Sequence, residues 1–389
     1  LVHYPVGLHI ESVESTVFYQ YIDGVLHNMM RARILKTEEK PETVVFEWKA
    51  AGKSGAIEMD LPFGRHEVTF FVPDTGEEAV LVEAQAASGE WSGRFEGRIG
   101  LRRKWEVMLN HHTHTDIGYT HLPEDIIHLQ NDNMRKALTY CELTEHWPED
   151  SRFVWTVEVS WLIDEFLRAA TEEEKQKLKK YIANGQILVQ GLYLHMHSDV
   201  LNLEELIEHT TWKRLGMRAE AAMATDVPGY TWPLIDVMAQ AGIRFFDVTP
   251  NFTLSTRSPD ITTPQLFWWK SPGGQRKVLT WYNIYHYFDG NELGFVSSLP
   301  VAEHNLSNRL DEMERKGFPY AHYLVRVCGQ HSDNSPPNLK IAEIVKAWNE
   351  KWAYPKVSMG DAAKLLQHAA EIYGDLIPEV EGDLADWWS

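Results

Sequence analysis

A short run of polar side chains, 110–116, carries the residue types best suited to chemistry. It reads Asn-His-His-Thr-His-Thr-Asp and follows a strand-like apolar segment. Residues two apart on an extended strand share a face, so we expect His112, His114 and Asp116 to point the same way. Imidazole and carboxylate groups that converge at a strand end form a suitable site for a metal ion. The alternative interpretation is a solvated histidine-rich loop, or core histidines bonded to backbone carbonyls.

Two later strand ends offer further carboxylates. Asp226 follows the apolar run 221–224 and precedes a Val-Pro-Gly turn. The segment 328–337 follows the strand-like run YLVRV and supplies His331 and Asp333. Both positions also suit structural roles, because an aspartate before a turn often caps it and a polar loop often caps the next helix. The residues alone leave the catalytic and the structural interpretation open.

A fourth segment, 191–199, has polar residues at alternating positions, namely His195, His197 and Asp199. We expect these side chains to line a pocket rather than an ordinary surface.

Aromatic side chains also fall at predicted strand ends. Their flat faces can stack on sugar rings while carboxylates bind the hydroxyl groups, although some of these rings must pack between strands and helices. They are Tyr119, Trp155, Trp161, Tyr193, Trp268, Trp269, Trp281, Tyr282 and Tyr285. Beside a metal site, such rings favour a carbohydrate ligand.

The first hundred residues must form strands. From Thr16 to about Arg103, short runs alternate apolar and polar residues between glycine and proline turns, which predicts a small β-sandwich over residues 1–103. The runs are TVFYQYI, ETVVFEWKA, AIEMDLP, HEVTFFVPD, AVLVEAQA and WSGRFEGRI.

From Lys104 onward the pattern changes to strands that alternate with helices. A long helix is expected from Pro123, and later helices at about 301–316 and 339–351. Gly273-Gly274 is typical of a hairpin turn. About seven such strand–helix units favour a (β/α) barrel over residues 104–389, and barrels place their chemistry at the carboxyl ends of the strands.

Composition excludes several classes of function. The net charge of −19 disfavours nucleic acid and anionic membrane surfaces as partners. The chain has only Cys141 and Cys328, too few for a disulfide framework or a structural zinc finger. It has no GxxxxGK[ST] or GxGxxG motif, so a nucleotide is not expected as a ligand. No particular oligomeric state is predicted.

The sequence favours a cytoplasmic location, because it has no apolar run of about 18 residues and no signal-peptide pattern at its start. The chain begins at Leu1 rather than Met. A secreted or periplasmic location is the alternative if a leader has been removed.

Two motifs resemble glycoside hydrolase family 38, the α-mannosidases. The run HTHTDIGY at 112–119 resembles the family's HSHxDxGW strand end, and TDVPG at 225–229 resembles its (I/T)DPFG nucleophile turn. Asp116 and Asp226 are 110 residues apart, close to the family's usual separation. The resemblance covers about 105–389. It continues through 153–161, 185–211, 333–334 and 377–384.

The resemblance implies a (β/α)7 barrel that holds one zinc ion, with His114 and Asp116 as ligands and Asp226 as both ligand and nucleophile. It further implies that Asp333 is the general acid and base, and that glycosides or oligosaccharides are hydrolysed with retention of configuration. The side chains expected to bind substrate are Tyr119, Trp161, Tyr193, His197, Asp199 and Trp281.

Three departures from the family pattern bear on this expectation. The family's fourth zinc ligand, a histidine in an HHD segment beyond the acid, has no counterpart before Ser389. Either the chain is a fragment, or His331 or a water molecule completes the metal shell. Tyr119 replaces a usual tryptophan and Val227-Pro228 replaces Pro-Phe, which leaves open a substrate other than a simple α-mannoside.

Two other functions are compatible with these residues. A metal-dependent polysaccharide deacetylase has a similar barrel and an Asp/His metal site, and it would release acetate without cleaving a glycosidic bond. A non-catalytic carbohydrate-binding fragment would bind glycans without turnover, even with zinc present.

Overall fold

A computed structural model of the chain describes residues 4–210, 219–227, 229–249 and 265–384. These residues form a mixed α/β structure with several sheets. The chain divides into two compact units. The first comprises Leu1–Glu106, Leu306–Ala321 and Asn349–Lys356, and the second comprises Val107–Asn305, His322–Trp348 and Val357–Ser389. The predicted division into residues 1–103 and 104–389 stays a prediction.

Two antiparallel sheets build the first unit, with strand orders β1-β2-β5 and β4-β3-β6-β7. Alternate residues point to a shared core, to which both sheets contribute, including Met30 and Phe70 from one and Phe46 and Val82 from the other. The strands are β1 (Leu8–Ile22), β2 (Val25–Lys36), β3 (Glu42–Ala50), β4 (Lys53–Leu61), β5 (Gly64–Pro73), β6 (Ala79–Ser88) and β7 (Trp91–Gly100).

The sequence pattern did not predict β2, whereas the six predicted runs overlap the other six strands of this unit. Met, Arg and Leu dominate β2, and these residues are good helix formers, which hides the strand. Its alternation is nevertheless regular, because Asn28, Met30, Ala32 and Ile34 are buried and their neighbours are more exposed.

The later segments of the first unit are bonded to its early part. The Arg102 guanidinium donates to Asp311 Oδ1 and Glu314 Oε2, both at 2.6 Å, and the Trp105 indole donates to Glu314 Oε1 at 2.8 Å. The backbone N–H of Tyr19 donates to Tyr354 O at 2.8 Å. Three separate stretches of sequence therefore make one unit.

After β7, the described residues form both strands and helices. The strands are β8 (Glu106–His112), β9 (Trp155–Val157), β10 (Ile187–Val189), β11 (Ala221–Thr225), β12 (Phe245–Thr249), β13 (Leu266–Lys270), β14 (Lys277–Tyr282), β15 (His322–Cys328), β16 (Lys356–Met359) and β17 (Glu379–Val380). The helices are α1 (Pro123–Thr144), α2 (Trp161–Ala169), α3 (Glu172–Ala183), α4 (Leu203–Thr210), α5 (Leu234–Ala241), α6 (Asp289–Glu292), α7 (Leu299–Arg315), α8 (Leu339–Lys351) and α9 (Ala362–Tyr373).

Helix positions follow the predicted pattern closely. The structure confirms the start of α1 at Pro123, where proline suits the first turn and acidic residues follow. It also confirms α8 over Leu339–Lys351. The sequence also predicts a helix over residues 202–221, of which α4 is the first part, and residues 211–218 lie outside the described residues. Within the described residues, no helix is both long and apolar enough to cross a membrane.

The later strands form three sheets within the described residues, ordered β15-β8-β16, β10-β9 and β11-β12-β14-β13-β17. Strands β11, β12 and β14 run parallel, and one of their faces packs against α5. The predicted hairpin turn at Gly273-Gly274 is confirmed, because β13 and β14 pair antiparallel across it. The described pairing does not close into one barrel, and the (β/α)7 barrel stays a prediction.

Candidate functional site

His114 lies two residues beyond β8, and one of its ring nitrogens is close to two carboxylates. Its Nε2 atom is 3.3 Å from Asp116 Oδ1 and 3.7 Å from Asp226 Oδ2. The His114 side chain is buried, whereas both aspartates keep some exposure. Three side chains predicted as metal ligands thus meet at one imidazole.

Asp226 turns the chain sharply at the end of β11. Its φ of 60° lies in the left-handed region, which is uncommon for residues other than glycine. Its backbone N–H donates to Thr249 O, at the end of the neighbouring β12, at 2.9 Å. The turn therefore begins where the Asp226 carboxylate approaches His114.

A buried arginine on β15 ties together the strands beneath Asp226. The Arg326 guanidinium donates to Thr225 Oγ1 at 2.5 Å and to Ala224 O at 3.2 Å, both on β11. It also donates to Asp247 on β12, reaching Oδ2 at 2.9 Å and the backbone oxygen at 2.6 Å. This network fixes the end of β11 from inside the protein.

Asp333 lies in the loop that follows β15. The Tyr287 hydroxyl donates to its Oδ1 atom at 3.0 Å, so one carboxylate oxygen is oriented by a fixed partner. The sequence reading did not select Tyr287. The available signal was its position two residues beyond the segment 281–285, which holds three predicted sugar-stacking aromatics.

The residue after Asp333 connects its loop to the loop of Asp116. Asn334, with a φ of 53°, accepts from Gln130 Nε2 at 2.8 Å and donates to Asp116 O at 2.9 Å. Its backbone N–H donates to His114 O at 2.8 Å. Two loops that are distant in sequence are therefore held together by one side chain and its backbone.

Burial and nearby negative charges raise the pKa of both Asp226 and Asp333. Burial is the larger cause for Asp226, with Asp116 and Asp333 adding to it and His114 opposing it, and the pKa rises to about 6. Burial also raises the pKa of Asp333, and the charges of Asp116 and Glu158 act in the same direction. The charge of Asp333 thus contributes to the raised pKa of Asp226.

Glu158 is a site residue that the sequence reading missed. It follows β9, is fully buried, and accepts from the Thr115 backbone N–H at 2.7 Å. Its Oε1 lies 3.5 Å from His112 Nδ1, and its Oε2 lies 3.4 Å from His114 Nδ1 and 2.9 Å from His195 Nε2. The available signal was a lone acidic residue in the apolar run FVWTVEVSW.

Glu158 and His114 each shift the pKa of the other. Burial alone would lower the pKa of His114, but Glu158 and Asp116 raise it to about 10. Burial alone would raise the pKa of Glu158, but His195 and His114 hold it well below its usual range. The ligand atoms of His114, Glu158 and His195 all lie within 4.8 Å of one another, so they form a candidate metal-binding group.

The surroundings of His112 and His331 differ from those of the predicted ligands His114, Asp116 and Asp226. His112 is buried, faces Glu158, and has Nε2 3.9 Å from Cys328 Sγ. His331 is exposed, and its ring stacks on Phe288 with centroids 4.5 Å apart. The role of His331 as a ligand stays a prediction.

The predicted substrate-binding residues differ in exposure. Tyr119 is 86% exposed, and His197 and Asp199 are also exposed. Trp281 on β14 is buried, being 1% exposed. Trp161 begins α2 and packs partly buried against the core, and the Tyr193 hydroxyl donates to Asp164 Oδ2 at 3.3 Å. Their part in substrate binding stays a prediction.

Comparison with known families gives a clear match for most of the chain. Residues 104–388 match the model of the glycosyl hydrolases family 38 N-terminal domain. This match confirms the resemblance carried by the motifs around Asp116 and Asp226. No curated protein sequence matches the chain significantly.

The solved structures similar to the chain include two from Enterococcus faecalis. An alpha-mannosidase from Enterococcus faecalis V583 has a TM-score of 0.58 at 18% identity, covering 72% of this chain and 31% of that protein. A glycosyl hydrolase family 38 protein from Enterococcus faecalis has a TM-score of 0.49 at 16% identity, covering 72% of this chain and 29% of that one. The chain thus spans about a third of the length of these proteins. By its match over 104–388, the chain belongs to glycosyl hydrolase family 38.

Proposed function

We propose that the chain is the catalytic part of a zinc-dependent retaining glycosidase of the α-mannosidase type. Family membership supports a glycosidase with a carbohydrate substrate, and the Enterococcus faecalis V583 protein of similar fold is described as an alpha-mannosidase. The observation that carries the proposal is the meeting of His114, Asp116 and Asp226 at a strained strand end. Asp333 is close enough to raise the pKa of Asp226.

The residues at His114 Nε2 fit a zinc ion. One imidazole nitrogen and two carboxylates are ligands that zinc prefers, and an open position for substrate is typical of catalytic zinc sites. Acidic groups crowd this ring, since the carboxyl groups of Asp116, Asp226 and Glu158 all lie within 4 Å of it, and their combined charge favours a bound cation. In this proposal His114, Asp116 and Asp226 hold the ion, and His331 or water completes its shell. Bound zinc would coordinate sugar hydroxyls and stabilise the ionised form of Asp226.

Asp226 is the nucleophile in this proposal. Its ionised carboxylate attacks the anomeric carbon and forms a covalent glycosyl ester as the bond to the leaving oxygen breaks. The strained turn limits the orientations available to the carboxylate, because the Asp226 N–H is bonded to Thr249 O and Arg326 holds Thr225 at the end of β11. Such fixed geometry reduces the entropy lost on reaching the transition state.

Asp333 is the general acid and then the general base. Its raised pKa keeps a larger protonated fraction near neutral pH than an ordinary aspartate has, so it can protonate the leaving oxygen. It then takes a proton from the water that hydrolyses the ester, and configuration at the anomeric carbon is retained. The Tyr287 hydroxyl orients one of its oxygens throughout.

The remaining expectations belong to the same proposal. The mouth of a (β/α)7 barrel would present these acids to a glycoside or oligosaccharide. Tyr119, Trp161, Tyr193, His197, Asp199 and Trp281 would contribute the sugar-binding surface.

The test measures zinc content and hydrolysis of an aryl α-mannoside by the wild type, Asp226→Asn and Asp236→Asn. We expect about one zinc ion per chain and a loss of activity on the order of a thousandfold or more in Asp226→Asn. Asp236→Asn is the matched control, because Asp236 lies on α5 and pairs with Arg276 at the surface. It should keep full activity.

Equal activity in the wild type and Asp226→Asn would exclude Asp226 as the nucleophile. Proton NMR of the released sugar shows the configuration at the anomeric carbon. Inversion there would exclude the retaining mechanism. Release of acetate from an acetylated glycan, without cleavage of a glycosidic bond, would identify a deacetylase instead.

A further inference from the structure

The Glu158 carboxylate lies on the opposite side of the His114 ring from the predicted zinc ligands. Glu158 Oε2 is 3.4 Å from Nδ1, whereas Asp116 and Asp226 approach Nε2 at 3.3 and 3.7 Å. The two nitrogens of the ring therefore have separate acidic partners.

This arrangement has a consequence for the tautomer of His114. A carboxylate at Nδ1 favours the proton on that nitrogen, so a metal ion that displaces the other ring proton binds at Nε2. Glu158 has no exposed surface, so water does not compete for its oxygens. The Thr115 N–H bond at 2.7 Å fixes Oε2 further.

His195 stabilises the buried charge of Glu158 from another direction. Its Nε2 lies 2.9 Å from Glu158 Oε2, and its ring centroid is 5.2 Å from that of His114. His112 approaches the other oxygen at 3.5 Å. Three imidazoles and one amide thus surround a single carboxylate, which holds it in place.

We propose that Glu158 is a positioning residue of the metal centre, which fixes the Nδ1–H tautomer and the ring orientation of His114. His195 and Thr115 hold Glu158 in the geometry that this role needs. The inference rests on the zinc site of the proposed function, with Nε2 of His114 as the ligand atom.

Zinc affinity of the full chain, measured by competition with a chromophoric chelator, tests this role. We expect weaker zinc binding by about 10-fold in Glu158→Gln and about 100-fold in Glu158→Leu, the range typical for loss of such partners. Glutamine keeps one acceptor oxygen for His114, so it should rescue part of the affinity. Zinc stoichiometry should stay at one per chain.

Asp361→Asn provides the matched control. Asp361 is a buried carboxylate that caps α9 and contacts Gln190, so its loss should lower stability without changing zinc affinity. If Glu158→Leu does not fold, Glu158→Gln carries the test. Unchanged zinc affinity in a folded Glu158→Gln protein would overturn the inference. It would also be overturned if the wild type bound two zinc ions and Glu158→Gln lost one of them.

A spectroscopic measurement separates positioning from a merely structural role. Long-range ¹H–¹⁵N correlations of histidine-labelled protein identify the protonated nitrogen of each ring. We expect both zinc-loaded proteins to show the Nδ1–H form of His114, with the Nδ1 proton resonating further downfield in the wild type than in Glu158→Gln, because a carboxylate accepts that hydrogen bond more strongly than an amide oxygen does. Absence of zinc binding in the wild type would instead count against the proposed function itself.

Discussion

His111 is fully buried beside the site, with its ring against Phe153 and Trp155. Within the described residues, neither of its ring nitrogens has a hydrogen-bond partner. Burial, aided by His112, lowers its pKa to about 3. The folded protein therefore keeps this histidine neutral where the unfolded chain already binds a proton.

This difference predicts a loss of stability in acid. Because the pKa is lower in the folded state, the unfolded state binds more protons below about pH 6.5, and the free energy of unfolding falls as pH decreases. Between pH 7 and pH 5 the contribution is about 2 kcal/mol. His111→Leu should remove this part of the pH dependence in urea unfolding measured at both pH values.

His128→Leu is the control, because His128 is exposed on α1. It should leave the pH dependence as in the wild type. An identical loss between pH 7 and pH 5 in the wild type and His111→Leu would contradict the assignment.

The sequence identifies candidate side chains by their type, but it does not identify the residues that they contact. His114, Asp116 and Asp226 could be selected because their residue types and strand-end positions suit ligation. Glu158 could not be selected in this way. It is a lone acidic residue in an apolar run, and its role depends on contacts with three histidines from other segments of the chain. Asn334 has the same difficulty, because its side chain acts on the loop of Asp116, more than 200 residues earlier.

Among the elements, β11, β12 and β15 depend on one another through Arg326 and Asp247. Removing the guanidinium leaves a buried carboxylate without its partner, which typically costs about 3–5 kcal/mol. We therefore expect Arg326→Met to lower the free energy of unfolding by that amount in chemical denaturation. Arg276→Met breaks an exposed pair with Asp236 and should cost less than about 1 kcal/mol.

The double variant Arg326→Met/Asp247→Leu distinguishes a lost ion pair from lost packing. It should recover part of the stability, because no charge then stays buried without a partner. A double variant less stable than Arg326→Met would contradict this explanation.

Elements with strong local signals were predictable, and those defined by distant pairing were not. Helix α8 and strand β3 match their predicted bounds because their patterns are regular and their ends are marked. Strands β9 and β10 keep only three residues each, since pairing with a neighbour rather than local propensity sets their length. Closure of the sheets into a barrel likewise depends on pairing between strands that are distant in sequence.

For the whole molecule, the proposed metal site predicts a stability that depends on zinc. A ligand that binds only the folded state raises the free energy of unfolding by about 2.7 kcal/mol when its concentration is 100 times its Kd. Thermal unfolding should therefore shift upward when zinc is added to chelator-treated protein. His114→Ala should show no such shift, whereas His128→Ala should behave as the wild type. A zinc-dependent shift that persists in His114→Ala would place the ion elsewhere.

The first unit needs residues from three stretches of chain, the last of which ends at Lys356. Its early strands leave the ribosome long before Asp311, Glu314 and Tyr354, the partners of Arg102, Trp105 and Tyr19, have been made. Domains generally fold in the order of synthesis. In this protein the unit translated first can be completed only after about 250 further residues have followed Glu106.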